Sequence, residues 1–338
     1  MTSDPIRSGP SKSPWVDVHA HPGRCFLGGL GEDDRLASAL GGDSSDQAVA
    51  EIIDAGMAAV SFATVADLRV IGPRPDGGLH AVRDFKPGEA VADHRRQLDA
   101  LQALVARHDL PIVRVADDVL SAHRAGRTAL FVTCEGADFV EDRLERVGEA
   151  HAAGVRSITL VHYRQSDVGD LQTEPPLHGG LSSAGRELVR EMDRLGMLID
   201  VAHASYETTL GVLEESTRPI ILSHTHLDGG RRDNPRLVSR EHAQAVAAAG
   251  GLVGAWPSGV CSETFDDFID EIARLAEVIG VDHVGIGTDM DANYKPVMSG
   301  YSEFASIGAS LAERGFTTSE VDGILGGNAI NLIRAVCG

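Results

Sequence analysis

Three features of the 338-residue sequence predict an α/β fold of the (β/α)8 or TIM-barrel kind. Short apolar runs rich in Val and Ile recur eight times, amphipathic segments with helical spacing separate most of them, and no Gly-x-Gly-x-x-Gly follows the first run. Eight strands alternating with helices close into a barrel, while the missing glycine fingerprint speaks against an open dinucleotide-binding sheet.

In order, the runs are WVDVHA (15–20), MAAVSFATV (57–65), TALFVTCEG (128–136), SITLVHY (157–163), MLIDVAHA (197–204), PIILSHTH (219–226), GLVGAW (251–256) and HVGIGTDMD (283–291). Between the fourth and fifth, SSAGRELVREMDRLG places Ala184, Leu188, Val189, Met192 and Leu195 on one helical side, with Gly196 as its stop. Between the sixth and seventh, SREHAQAVAAAGG opens on Ser239 as N-cap and closes on a glycine pair. Residues 24–51 and 71–90 are rich in Gly, Asp and Pro and are read as long loops near the barrel mouth. PIVRVAD (111–117) is read as part of a connection.

The lead MTSDPIRSGPSKS (1–13) is polar and is expected to be disordered, leaving 14–338 as one barrel domain. With no apolar signal core and no stretch of ~20 apolar residues, a cytoplasmic location and no membrane partner are expected. A net charge of -20 repels nucleic acid and anionic lipid alike. Cys25, Cys134, Cys261 and Cys337 lie far apart without a Cys-x-x-Cys pair and are read as reduced thiols.

The stretch WVDVHAHPG (15–23) carries Asp17, His19 and His21 at every second position, on one face of a strand. Glu135, His162, His203, His224 and Asp289 close later runs in the same way. One such histidine is more often a packed or surface residue, and one such carboxylate a turn residue. Together, at strand ends that converge on one barrel mouth, they read as a metal site. His226 shares a face with His224 but lies further into its loop; His80, His94, His108, His123, His151, His178, His242 and His283 lack strand-end placement.

Imidazole and carboxylate ligands without thiolate suit Zn²⁺, Mn²⁺, Fe²⁺ or Co²⁺. Five such ligands exceed what one catalytic zinc takes; two metals sharing a carboxylate use them economically. The chemistry implied is hydrolysis by a metal-bridging hydroxide, with Asp289 moving the proton to the leaving group.

The segments CEGAD around Glu135, ITLVHY around His162, GLSSAGRELVREMDRLGMLIDVAHAS before His203, PIILSHTH around His224, HVGIGTDMD around Asp289 and the closing NAINLIRAV carry a resemblance. From the first strand to the C-terminus the chain resembles the membrane (renal) dipeptidase family of the amidohydrolase superfamily. The resemblance implies a metal-dependent hydrolase barrel with two zinc ions, Glu135 bridging them, His203 and His224 on one and His19 and His21 on the other. It implies that His162 binds substrate and its tetrahedral intermediate, and that an arginine after the sixth strand, Arg232 in GGRRDNPR with Arg231 the near alternative, binds the substrate's carboxylate.

Two positions depart from the family pattern. His21 stands where the family carries Asp, and Ala255, Trp256 and Pro257 follow the seventh strand where the dipeptidases carry a Tyr. The activity the resemblance implies is hydrolysis of dipeptides, L-Xaa-D-Xaa included. The alternatives are hydrolysis of another amide, an N-acyl amino acid, a lactone or an ester, and a non-catalytic metal-binding barrel. A homodimer is the default for such barrels.

Overall fold

The structure, a computed structural model, describes residues 13–31, 33–75, 77–229 and 234–338. The predicted disordered lead, apart from Ser13, and Arg232 lie outside these residues. The strands are β1 (Val16–Asp17), β2 (Ala59–Val65), β3 (Ile71–Pro73), β4 (Leu79–Ala81), β5 (Ala129–Glu135), β6 (Ser157–Thr159), β7 (Leu198–Asp200), β8 (Ile221–Thr225), β9 (Leu252–Ala255) and β10 (Val284–Ile286). The helices are α1 (Arg35–Leu40), α2 (Ser45–Asp54), α3 (Glu89–His108), α4 (Ala116–Arg124), α5 (Glu145–Ala152), α6 (Ser183–Leu195), α7 (Tyr206–Glu215), α8 (Arg240–Ala248), α9 (Phe265–Ile279), α10 (Phe304–Glu313), α11 (Thr318–Asp322) and α12 (Asn328–Cys337).

Parallel pairing closes the predicted barrel in the order β1-β10-β9-β8-β7-β6-β5-β2, with β1 bonded to both β10 and β2. Each barrel strand falls inside one predicted run, and all but β2 stop short of its end. Asp17 shows why in the first run. Its carboxylate accepts from the N–H of His19 (3.2 Å) and of Thr288 (3.0 Å) and from the Thr288 hydroxyl (2.5 Å). Those side-chain bonds take the place of ladder bonds. His19 and His21 therefore stand beyond β1, and Asp17 is tied to Thr288 instead of extending their row.

The helix expectations hold in their capping. Ser182 accepts from Gly185 N–H at the start of α6, whose Leu188, Val189 and Met192 are buried, and Gly196 ends it at φ 69°. Ser239 caps α8 through His242 N–H. The two predicted loops are corrected. Residues 24–51 hold α1, capped by Asp34, and α2, which buries Ala48, Val49 and Ile52. Residues 71–90 hold the antiparallel hairpin of β3 and β4.

The floor of the barrel is apolar: Val16, Phe131, Leu198, Ile221 and Leu252 pack against Ile330 and Ile333 of α12. All four cysteines are free. No helix among the described residues is long and apolar enough to cross a membrane. The strands' other ends carry the polar residues.

Candidate active site

Glu135 ends β5, is 3% exposed, and gathers five imidazoles. Oε1 lies 3.0 Å from His203 Nε2, 3.4 Å from His19 Nε2 and 3.6 Å from His224 Nε2. Oε2 lies 3.2 Å from His21 Nε2 and 3.3 Å from His162 Nε2. Asp289 joins the group with Oδ1 3.5 Å from His21 Nε2. The structure thus brings together all seven residues that the sequence placed at strand ends.

Several contacts aim these rings. His21 Nδ1 donates to the carbonyl of Ala63 (3.0 Å), which leaves Nε2 to face the centre. His162 Nδ1 meets Asp67 Oδ1 at 2.7 Å, and Asp67 also accepts from the N–H groups of Tyr163 and Arg164. His203 and Asp289 adopt φ of 64° and 54°, a left-handed conformation costly for side chains with a Cβ. His224 follows an irregularity in the β8–β9 register between Leu222 and Thr225. There Asp200 of β7 accepts from Ser223 N–H (3.0 Å) and from its hydroxyl (2.7 Å), pinning the residue that precedes His224.

Charge in the site is divided. Burial opposes charge on His19 and His162, but the Glu135 carboxylate for the first, and Asp67 with Glu135 for the second, lift both to about 9. Burial pushes His203 and His224 well below the usual imidazole value. It also raises Asp289, against the opposing pull of His21. For Glu135 the pull of His162 and His19 overcomes burial and holds the carboxyl well below its usual range.

The donor set fits divalent cations. His203 Nε2 and His224 Nε2 face each other at 3.1 Å, and the buried Nε2 atoms of His19 and His21 make no hydrogen bond. Ligand atoms of His19, Glu135 and His224, of His19, His21 and Asp289, and of Glu135, His162 and His203 each cluster within 4.8 Å. Nitrogen lone pairs crowded around a carboxylate, with no thiolate, suit a borderline metal such as zinc.

Asp17 and His226 stand apart from this group. His226 Nδ1 contacts the carbonyl of Leu227 (2.8 Å) and lies 3.4 Å from Glu271 of α9. The sequence reading missed Arg236. Its guanidinium is buried over the Trp256 ring, 5.2 Å from the centroid, bonds Gln172 Oε1 at 2.9 Å, and approaches His203 Nε2 to 3.5 Å. Tyr163, also missed, packs on His162 and His203 with ring centroids 4.4 and 5.0 Å away. Arg236, Trp256 and Tyr163 border a cavity of about 250 Å³ that opens onto Glu135 and Asp289.

A sequence profile of the membrane dipeptidase family, peptidase family M19, matches residues 46–337. The chain belongs to that family. Dipeptidase tcpJ of Claviceps purpurea (strain 20.1) is 30% identical over 260 residues, which make up 73% of this chain and 60% of that protein. Dipeptidase verJ of Clonostachys rogersoniana is 29% identical over 276 residues, 78% of this chain and 70% of the relative. Among solved structures, a metallopeptidase from Rhodobacter sphaeroides, bound to a phosphinate mimic of the dipeptide L-Ala-D-Ala, superposes with a TM-score of 0.81. It is 19% identical, covering 96% of this chain and 100% of that one. An amidohydrolase from Pseudomonas aeruginosa gives 0.75 at 23% identity, with 96% and 97% covered. Both likenesses establish the barrel as one shared by metallopeptidases and amidohydrolases.

Proposed function

We propose that the protein is a dipeptidase with two divalent cations, zinc first among them, held by His19 and His21 on one side of Glu135 and by His203 and His224 on the other. The observation that carries this reading is the convergence of five imidazoles on one buried carboxylate, with a buried arginine beside them. When bound, such a cation pair lowers the pKa of a water and polarises the carbonyl it attacks.

The chain's own residues supply the rest. Arg236 takes the carboxylate role first given to Arg232. Its plane rests on Trp256, Gln172 holds one arm, and its buried Nε has no hydrogen-bond partner. A guanidinium held in this way offers a fork to a substrate carboxylate. His162, fixed by Asp67 and lifted to about 9, presents its Nε2 proton to the carbonyl oxygen as charge builds there. Asp289, raised by burial, takes the proton of the attacking water and returns it to the leaving amine. Asp291 lines the same cavity and offers a carboxylate to the substrate's ammonium, which the His21 imidazole does not. Tolerance of a D-residue on the C-terminal side is supported by the likeness to a metallopeptidase that binds an L-Ala-D-Ala mimic.

His21 in place of Asp also favours a second reading, hydrolysis of an amide without a free ammonium. A panel of free L,L and L,D dipeptides and their N-acetyl forms, given to the metal-reconstituted protein, separates the two. Cleavage of free dipeptides is expected, with N-acetylation lowering kcat/KM by about tenfold or more, as loss of a charge-assisted hydrogen bond does. Cleavage of the blocked forms alone would transfer the assignment to the second reading.

A further inference from the structure

One wall of the cavity plays no part in the chemistry above. It is built by Phe26 in the turn after His21, Leu40 at the end of α1, Leu68 after β2, and Ile71 and Leu79 from the β3–β4 hairpin. Phe26 and Leu68 are buried and form its base, whereas Leu40 is 41% and Leu79 36% exposed. Large apolar side chains left open at the mouth of a polar site lack a partner of their own kind. The Phe26 ring stands edge-on to His21 at 5.3 Å, so the wall begins directly beside the catalytic group.

Position decides what this wall meets. Phe26 and Leu68 belong to the β1 and β2 side of the barrel, and Arg236, beside His203 and Trp256, to the β7 to β9 side, with Glu135 between them. A dipeptide with its carboxylate on Arg236 and its scissile carbonyl over Glu135 turns its first residue toward Phe26. The cavity, at about 250 Å³, falls below the range of about 300–1,000 Å³ of drug-sized pockets and has room for two residues.

We infer that this wall receives the side chain of the substrate's N-terminal residue and makes the protein selective for dipeptides that begin with a bulky apolar residue. The inference rests on the dipeptidase reading and narrows it. The hairpin is held in place for this task. Arg74 Nη2 donates to the carbonyl of Thr173 at 3.2 Å and pairs with Glu174, and Arg83 Nη2 donates to the carbonyl of Arg69 at 2.7 Å. The five wall side chains offer no hydrogen bond, so a polar first residue loses its water without compensation. An apolar one gains: a single enclosed methylene is worth at least about tenfold in such a pocket, and the part-open wall at Leu40 and Leu79 keeps the total gain of that order. Arg24 lines the same cavity and supplies the rival, an acidic first residue; its Nε is already engaged by the carbonyl of Gly42 at 3.0 Å.

The test measures kcat/KM of the metal-loaded full chain on Leu-Ala, Phe-Ala, Gly-Ala, Asp-Ala and Lys-Ala, with Ala-Leu and Ala-Gly as the reversed pair. Leu-Ala and Phe-Ala are expected to exceed Gly-Ala by about tenfold or more, with Ala-Leu and Ala-Gly differing far less. Leu79→Ser, on an exposed hairpin position, is expected to lower the ratio of Leu-Ala to Gly-Ala. Free dipeptides cleaved without preference at the first residue, a stronger preference at the second, or Asp-Ala as the best substrate would each overturn the inference and leave the dipeptidase reading standing. Failure to cleave any free dipeptide would overturn both.

Discussion

Two buried histidines show how far surroundings decide a residue's chemistry. Burial lifts no charge onto His94, which stacks on Phe139 with ring centroids 3.8 Å apart, and pushes it down to about 3. His19 is as deeply placed, yet the Glu135 carboxylate raises it to about 9. The first is packed against an aromatic ring and the second stands in the cluster around Glu135, and sequence position distinguished them because only His19 follows a strand. His94 has a measurable consequence. An unfolded histidine titrates near 6.5, above the folded value, so stability from neutral His94 is full above that pH and is lost as pH falls toward 3. The wild-type melting temperature is therefore expected to fall more steeply between pH 6.5 and 4 than that of His94→Phe; equal slopes would remove His94 from the acid limb. Arg236 was illegible for a different reason. The loop from His226 to α8 carries Arg231, Arg232 and Arg236, and no periodicity distinguishes them. The ring on which the Arg236 guanidinium rests, Trp256, lies after another strand.

At the scale of elements, the barrel was legible because buried parallel strands read as continuous apolar runs. Their ends were not, since Val161, Ala202 and Ala204 stay buried after the ladder stops. The hairpin was missed because GPRPDGGLHA reads as turn chemistry, and two strands of three residues are too short to show alternation. The irregularity at Ser223 has a cost spread over its neighbours. A Cβ at Gly254 of β9 would stand 1.8 Å from the Ser223 carbonyl oxygen, and one at Gly287 1.9 Å from it. Glycine at these two positions leaves room for that carbonyl, which belongs to the residue before His224. Gly254→Ala is therefore expected to destabilise the fold by about 1–3 kcal/mol, as overpacking does, and to weaken metal retention. Thermal melts with and without added zinc read both effects. A melting temperature and metal content equal to wild type would show that the backbone at Ser223 carries no such constraint.

Over the whole molecule, one end of the barrel is an apolar floor closed by α12 and the other a polar mouth, and that division follows from where the apolar runs end. The net charge of -20 belongs to this scale as well. A negative field gathers divalent cations and opposes anionic substrates, while a zwitterionic dipeptide with an apolar side chain meets no such barrier. These observations support the proposed two-cation centre around Glu135 and its proposed cleavage of dipeptides. The most direct measurement is a titration of zinc into the metal-free protein while hydrolysis of a free dipeptide such as L-Leu-D-Ala is followed. A two-cation dipeptidase shows no cleavage at zero metal and a rate that rises to a plateau at two equivalents per chain. Cleavage without metal, or two bound equivalents without cleavage of any free dipeptide, would contradict it.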